Sequence, residues 1–153
     1  MKARWVRIVI VAATLIVLVA VNGSIVAKER IKTHGERIYL ALAPVDPRSL
    51  MQGDYMALRF AVADQIPTVE SGRWPLRVDE RGIAAFNPDR NASGLRIRYR
   101  VHNGRVWLGT NAYFFEEGTA DRYAKAAFGE FRVDRQSGEA ILVALRGPNL
   151  EPL

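Results

Sequence analysis

Leu95-Arg96-Ile97-Arg98-Tyr99-Arg100-Val101-His102-Asn103-Gly104-Arg105-Val106-Trp107-Leu108-Gly109 decides the fold class. Leu95, Ile97, Tyr99 and Val101 fall on one side of an extended chain and Arg96, Arg98 and Arg100 on the other, the period of a strand with one face in a core. Asn103-Gly104 supplies the positive φ angles of a tight hairpin, and residues 105–109 return as its second strand. The row of three guanidinium groups has two readings. It is a solvated face that discourages edge pairing, or it meets the phosphates of an envelope ligand such as a lipid or glycan.

Working outward, the same period recurs. In residues 36–43, Ile38, Leu40 and Leu42 share one face, and Pro44 and Pro47 end the run. In residues 55–62, Met56, Leu58, Phe60 and Val62 share a face, so two strands flank one Pro-rich turn. Trp74, Leu76 and Val78 predict a third strand, paired across the Asp79-Glu80-Arg81 corner with a fourth at 82–86, and residues 87–94 read as loop. A second hairpin spans 129–134 and 139–146, with Phe131 and Val133 expected to face Ile141, Val143 and Leu145. One short helix is predicted over 119–127, capped by Thr119, with Asp121 at its positive end and Tyr123, Ala126 and Ala127 as an apolar stripe. Many short strands and one short helix predict a mainly β fold, a small all-β barrel or sandwich with the helix plugging one end.

A transmembrane helix precedes this domain. After three cations at Lys2, Arg4 and Arg7, residues 8–21 are almost wholly apolar, and Ile25-Val26-Ala27 resume the run after Asn22-Gly23-Ser24. Twelve of residues 8–27 are Ile, Leu or Val, which favours insertion by about 4 to 7 kcal/mol before the polar trio is counted. Twenty residues at helical rise cover about 30 Å, the thickness of the hydrocarbon core. A cleaved signal peptide is the rival reading, since the basic start and the 14-residue stretch from Ile8 to Val21 fit its layout. The resumption through Ala27 and the lack of an alanine pair at a cleavage site favour a retained anchor. Residues 1–30 are therefore read as a transmembrane anchor with flanking charges and 31–153 as one extracytoplasmic domain. The signal-like layout places the protein as single-pass, with its domain on the far side of the membrane from the cytoplasm. Charge bias does not set this orientation, because Lys28, Arg30, Lys32 and Arg37 follow the apolar run as closely as the first three cations precede it.

Composition narrows the chemistry. The chain of 153 residues carries a net charge of +6, and removing Lys2, Arg4 and Arg7 leaves the rest at +3, too mild to argue for nucleic acid. With no cysteine, there is no disulfide, thiolate nucleophile or thiolate metal site. The two histidines, His34 and His102, are far apart and not in ligand spacing, so neither a metal nor a cofactor is expected.

The most specific passage is Pro44-Val45-Asp46-Pro47-Arg48-Ser49-Leu50-Met51-Gln52-Gly53-Asp54-Tyr55-Met56-Ala57-Leu58-Arg59-Phe60. It resembles the bacterial membrane-anchored proteins named for a GDYXXLXY motif. Gly53, Asp54, Tyr55 and Leu58 match directly, while Phe60 stands where the motif ends in Tyr. Keeping the ring without the hydroxyl argues that this last position is an apolar core site. Phe115-Glu116-Glu117-Gly118, Tyr123 and Phe128-Gly129-Glu130-Phe131-Arg132-Val133 also look like the family, so the resemblance covers anchor and domain. It implies an N-terminal anchor in a bacterial inner membrane, an extracytoplasmic domain facing the periplasm or the cell exterior, and association with a polytopic membrane protein.

Two readings of the motif remain. Asp46 and Asp54 can lock turns by accepting backbone N–H bonds, with Gly53 in a conformation closed to residues bearing Cβ. Alternatively Asp46, Arg48, Gly53, Asp54, Tyr55, Glu116 and Glu117 form one surface that reads a partner or ligand. A peptidase reading fails on the residues: a membrane signal peptidase places its Ser three residues before the Pro, and Pro44 stands there relative to Pro47. The Ser-Lys dyad would also need a desolvated lysine, and beyond Lys28 and Lys32 the domain offers only Lys125. Glu116-Glu117, adjacent on a strand end, point oppositely and make no facing acid and base pair, which leaves hydrolysis a remote alternative. The expected function is thus a non-catalytic accessory or sensing domain that binds a polytopic membrane or envelope protein, with an envelope lipid or glycan as the alternative ligand.

Overall fold

The structure, a computed structural model, describes residues 2–43, 51, 52 and 55–153. It consists of one long apolar N-terminal helix and a mostly β domain. Helix α1 (Lys2–His34) contains the apolar run, and its lipophilic residues are exposed on all sides. It is long and apolar enough to cross a membrane, a test that a signal sequence also passes. Its polar side chains turn back on the helix: Thr14 Oγ1 donates to the Ile10 carbonyl at 2.9 Å, Asn22 Nδ2 to Leu18 at 2.8 Å and Ser24 Oγ to Val21 at 2.7 Å. Satisfied in this way, those groups are far less costly to place in lipid.

The domain begins at Gly35, whose N–H donates to the Ile31 carbonyl at 2.8 Å and closes the helix. Strands follow as β1 (Glu36–Ala41), β2 (Met51–Gln52), β3 (Tyr55–Ala57), β4 (Gly72–Val78), β5 (Ile83–Phe86), β6 (Arg96–His102), β7 (Arg105–Trp107), β8 (Ala112–Phe114), β9 (Phe128–Val133) and β10 (Ala140–Arg146), with helix α2 (Ala120–Tyr123) between β8 and β9. Seven form one sheet in the order β10-β9-β1-β5-β4-β6-β7, and β2-β3-β8 form a second, small sheet. All pairings are antiparallel except β1 with β5, which run parallel with Tyr39 opposite Ile83.

The large sheet curls into a half-barrel. In a flat sheet β9 and β6 would lie about 19 Å apart, four strand spacings. Yet the turn after β9 touches β6 and β4: the Arg98 N–H donates to Gly138 O at 2.6 Å and Arg73 Nη1 to Gln136 O at 2.8 Å. Ile38, Leu40, Ile97, Leu108, Phe131, Val133 and Leu145 fill the interior, with Phe60 edge-on to Phe131 at 5.1 Å.

The alternating faces read from β1 and β6 are those seen; in β4 Trp74 and Leu76 are buried as read, but Pro75 between them is buried too and Val78 is exposed at the strand's end. Asn103 and Gly104 turn the β6–β7 hairpin with φ of 50° and 69°. Three expectations are corrected. The run 55–62 is strand only to Ala57, although Met56, Leu58, Phe60 and Val62 are all buried as predicted. The helix is shorter than 119–127, and Thr119 does not cap it, because its Oγ1 donates to the Glu116 carbonyl at 2.6 Å. Finally, β10 carries a bulge between Leu142 and Ala144, so Ala140 and Leu142 face Val133 and Phe131, Val143 turns outward and only Leu145 keeps its expected side. The extra residue of a bulge shifts the alternation by one, which a strict period cannot register.

Candidate functional site

The pole that carries the motif lies at the end of β1 remote from α1. Strand β1 leaves the helix at Glu36 and reaches Ala41 about 17 Å further on, five strand steps. There Leu42 bridges Phe60, and Ala41 pairs with Phe128. Three of the motif's apolar residues are core: Met56, Leu58 and Phe60 are each no more than 5% exposed. Phe60, in the place of the motif's last Tyr, is buried against Phe131, in keeping with an apolar site there. Asp46, Arg48, Gly53 and Asp54 lie outside the described residues; Gly53 and Asp54 are the two residues between Gln52 and Tyr55, which pair across β2 and β3.

Among the candidate residues that are described, Tyr55 is half-buried and sits directly opposite Phe114 on β8, ring centroids 5.8 Å apart. Phe114 itself is 76% exposed, on an edge strand of the small sheet. Glu116 and Glu117 follow two and three residues later, exposed and without an ion pair among the described residues. The pairing of β3 with β8 thus brings Tyr55 and the stretch leading to Glu116 and Glu117 to one pole. Beneath Phe114, Tyr113 and Phe115 pack on Tyr123 of α2 at 5.2 Å each. Burial and a hydrogen bond with Tyr123 push the Tyr113 phenol above its ordinary pKa, favouring the neutral form.

The sequence reading missed this aromatic cluster. Its signal is the run Tyr113-Phe114-Phe115, a segment too short to show a strand period. Chemically the described part of the pole offers an exposed ring on a strand edge with two carboxylates just after it in the chain.

A second feature lies near α1. A cleft of about 750 Å³ opens between β6–β7 and β10, lined by Arg98, Arg100, His102 and Trp107 on one side, Glu139, Ile141 and Leu142 on the other, and Lys28 of α1. Two members of the arginine row therefore share a concave wall; the third, Arg96, instead donates to the Arg90 carbonyl. No group of three or more His, Asp or Glu able to hold a metal occurs among the described residues.

The family model for the GDYXXLXY protein matches residues 17–145, and the chain belongs to that family. No curated protein and no solved structure matches it.

Proposed function

With that family membership as premise, we propose that the protein is a single-pass inner-membrane protein whose outward β domain is a non-catalytic accessory or sensing subunit. It docks the extracytoplasmic part of a polytopic membrane protein through the motif pole. The observation that carries this reading is Phe114, largely exposed and in tilted ring contact with the motif's Tyr55 at the edge of the small sheet. An aromatic anchor ringed by polar groups is the usual composition of an interface centre. Asp46, Arg48, Gly53, Asp54, Glu116 and Glu117 are assigned to the surrounding contact surface.

A photo-crosslinking residue at position 114, with one at the exposed loop residue Val69 as control, tests it in intact cells. The reading expects one integral membrane protein captured from position 114 and not from 69. Capture at neither position, or equally at both, contradicts it.

A further inference from the structure

Arg98 and Arg100 stand two residues apart on one face of β6, so their Cα atoms are about 6.6 Å apart. Neither makes an ion pair among the described residues. Both line the cleft between β6–β7 and β10, and both line a second hollow of about 600 Å³ that adds Arg73 and Ser137. The one carboxylate in the cleft, Glu139, is already paired with Lys28, leaving the two guanidinium groups as uncompensated charge. Two unpaired guanidinium groups at this spacing are a phosphate-binding arrangement, since each presents parallel donors to anionic oxygens.

The apolar side of the cleft says what carries the phosphate. Ile141 lines it from β10, and Trp107, directly opposite Arg100 on β7, lies 39% exposed and edge-on to His102. An exposed indole beside cations is the composition of a bilayer interface. The cleft also has a fixed height above the membrane. Lys28 belongs to its lining, and Lys28 is the first residue after the apolar run that ends at Ala27. A helix that spans with residues 8–27 sets Lys28, and the cleft with it, at the level of the headgroups.

We infer that this cleft binds an anionic phospholipid of the host bilayer, its phosphate between Arg98 and Arg100 and its glycerol and upper acyl region along Trp107 and Ile141. The inference rests on the reading of α1 as a retained anchor, and it is independent of the motif pole at the other end of β1. Bound lipid fixes the tilt of the domain on its anchor and thereby the height at which the motif pole meets a partner.

Native mass spectrometry of the full-length chain, released from micelles doped with phosphatidylglycerol or with phosphatidylcholine, tests this. The expected result is one phosphatidylglycerol retained per chain, phosphatidylcholine not retained, and retention reduced about tenfold or more in Arg98→Gln/Arg100→Gln at unchanged melting temperature. Equal retention of the two lipids, or undiminished retention by the double variant, overturns it. Displacement of the lipid by inorganic phosphate at equal concentration also overturns it, because the ligand is then free phosphate. The spectrum gives the chain mass as well, so a chain lacking α1 is seen directly as failure of the anchor reading. If the double variant melts lower, Arg98→Lys/Arg100→Lys, which keeps the charge without the parallel donors, must restore stability and part of the retention, and retention no better than in the glutamine variant in a folded chain counts against the site.

Discussion

Arg146 and Glu130 form an ion pair across β10 and β9, with Glu130 Oε2 accepting from Arg146 Nε at 2.7 Å and lying 2.5 Å from Nη2. Glu130 is 4% exposed and is the one buried charged residue among those described. A carboxylate so placed is tolerable only because its partner supplies two donors from one guanidinium.

Removing one member therefore strands the other. Glu130→Ala and Arg146→Ala should each lower unfolding free energy by about 3 to 5 kcal/mol, while Glu130→Leu/Arg146→Met should recover most of it. Denaturant melts of the full-length chain in detergent measure this. Additive losses in the double variant would show that the pair carries no coupling.

Gly35 joins α1 and the sheet at a point of close backbone contact. A Cβ there would lie 2.4 Å from the Ile31 carbonyl oxygen and 3.0 Å from the Val133 nitrogen, and backbone atoms on both sides cannot yield. Gly35→Ala should destabilise the junction by about 1 to 3 kcal/mol. Limited proteolysis between α1 and β1 should accelerate; an unchanged cleavage rate would show that the junction is not held as described.

Stability should fall at both ends of the pH scale through different residues. Tyr113 has a raised pKa, from burial first and then its bond with Tyr123, so its contribution is complete below the ordinary value of 10.0 and is lost as pH climbs through the raised one. Asp134 accepts N–H and O–H bonds from Ser137, which lower its pKa, so its contribution is present above the ordinary 3.8 and is lost as pH falls through the lowered value. Melting temperature against pH should flatten on the alkaline side in Tyr113→Phe and on the acid side in Asp134→Asn. Unchanged limbs in both variants would refute these assignments.

The bulge in β10 separates two valine-like positions that a strict alternation treats alike. Val143→Asp should change stability by no more than about 0.5 kcal/mol, since Val143 faces out, whereas Leu145→Asp should unfold the domain. Equal damage from both would restore the unbulged register.

These cases show what the chain discloses and what it withholds. β1 and β6 were legible because alternation is a local property and their two faces meet different solvents. The parallel pairing of β1 with β5 was not, since it joins Tyr39 to Ile83 across 44 residues with no local signature. The end of β3 at Ala57 escaped because the buried residues keep alternating after strand pairing stops. Burial of Glu130 had no signal either, for its partner Arg146 sits on another strand. Of the candidate surface, Tyr55, Glu116 and Glu117 could be placed from motif and resemblance, but the ring that faces Tyr55 came from β8, a strand of three residues.

The most direct test of the docking role is an affinity pull-down of the full-length protein from detergent-solubilised membranes, with Phe114→Ser and Asp54→Ala as comparisons. Co-purification of one polytopic membrane protein at equal stoichiometry is predicted, falling about tenfold or more in Phe114→Ser while that variant keeps the parent melting temperature. Undiminished recovery with folded Phe114→Ser, or no integral membrane protein in the parent eluate, would contradict the account.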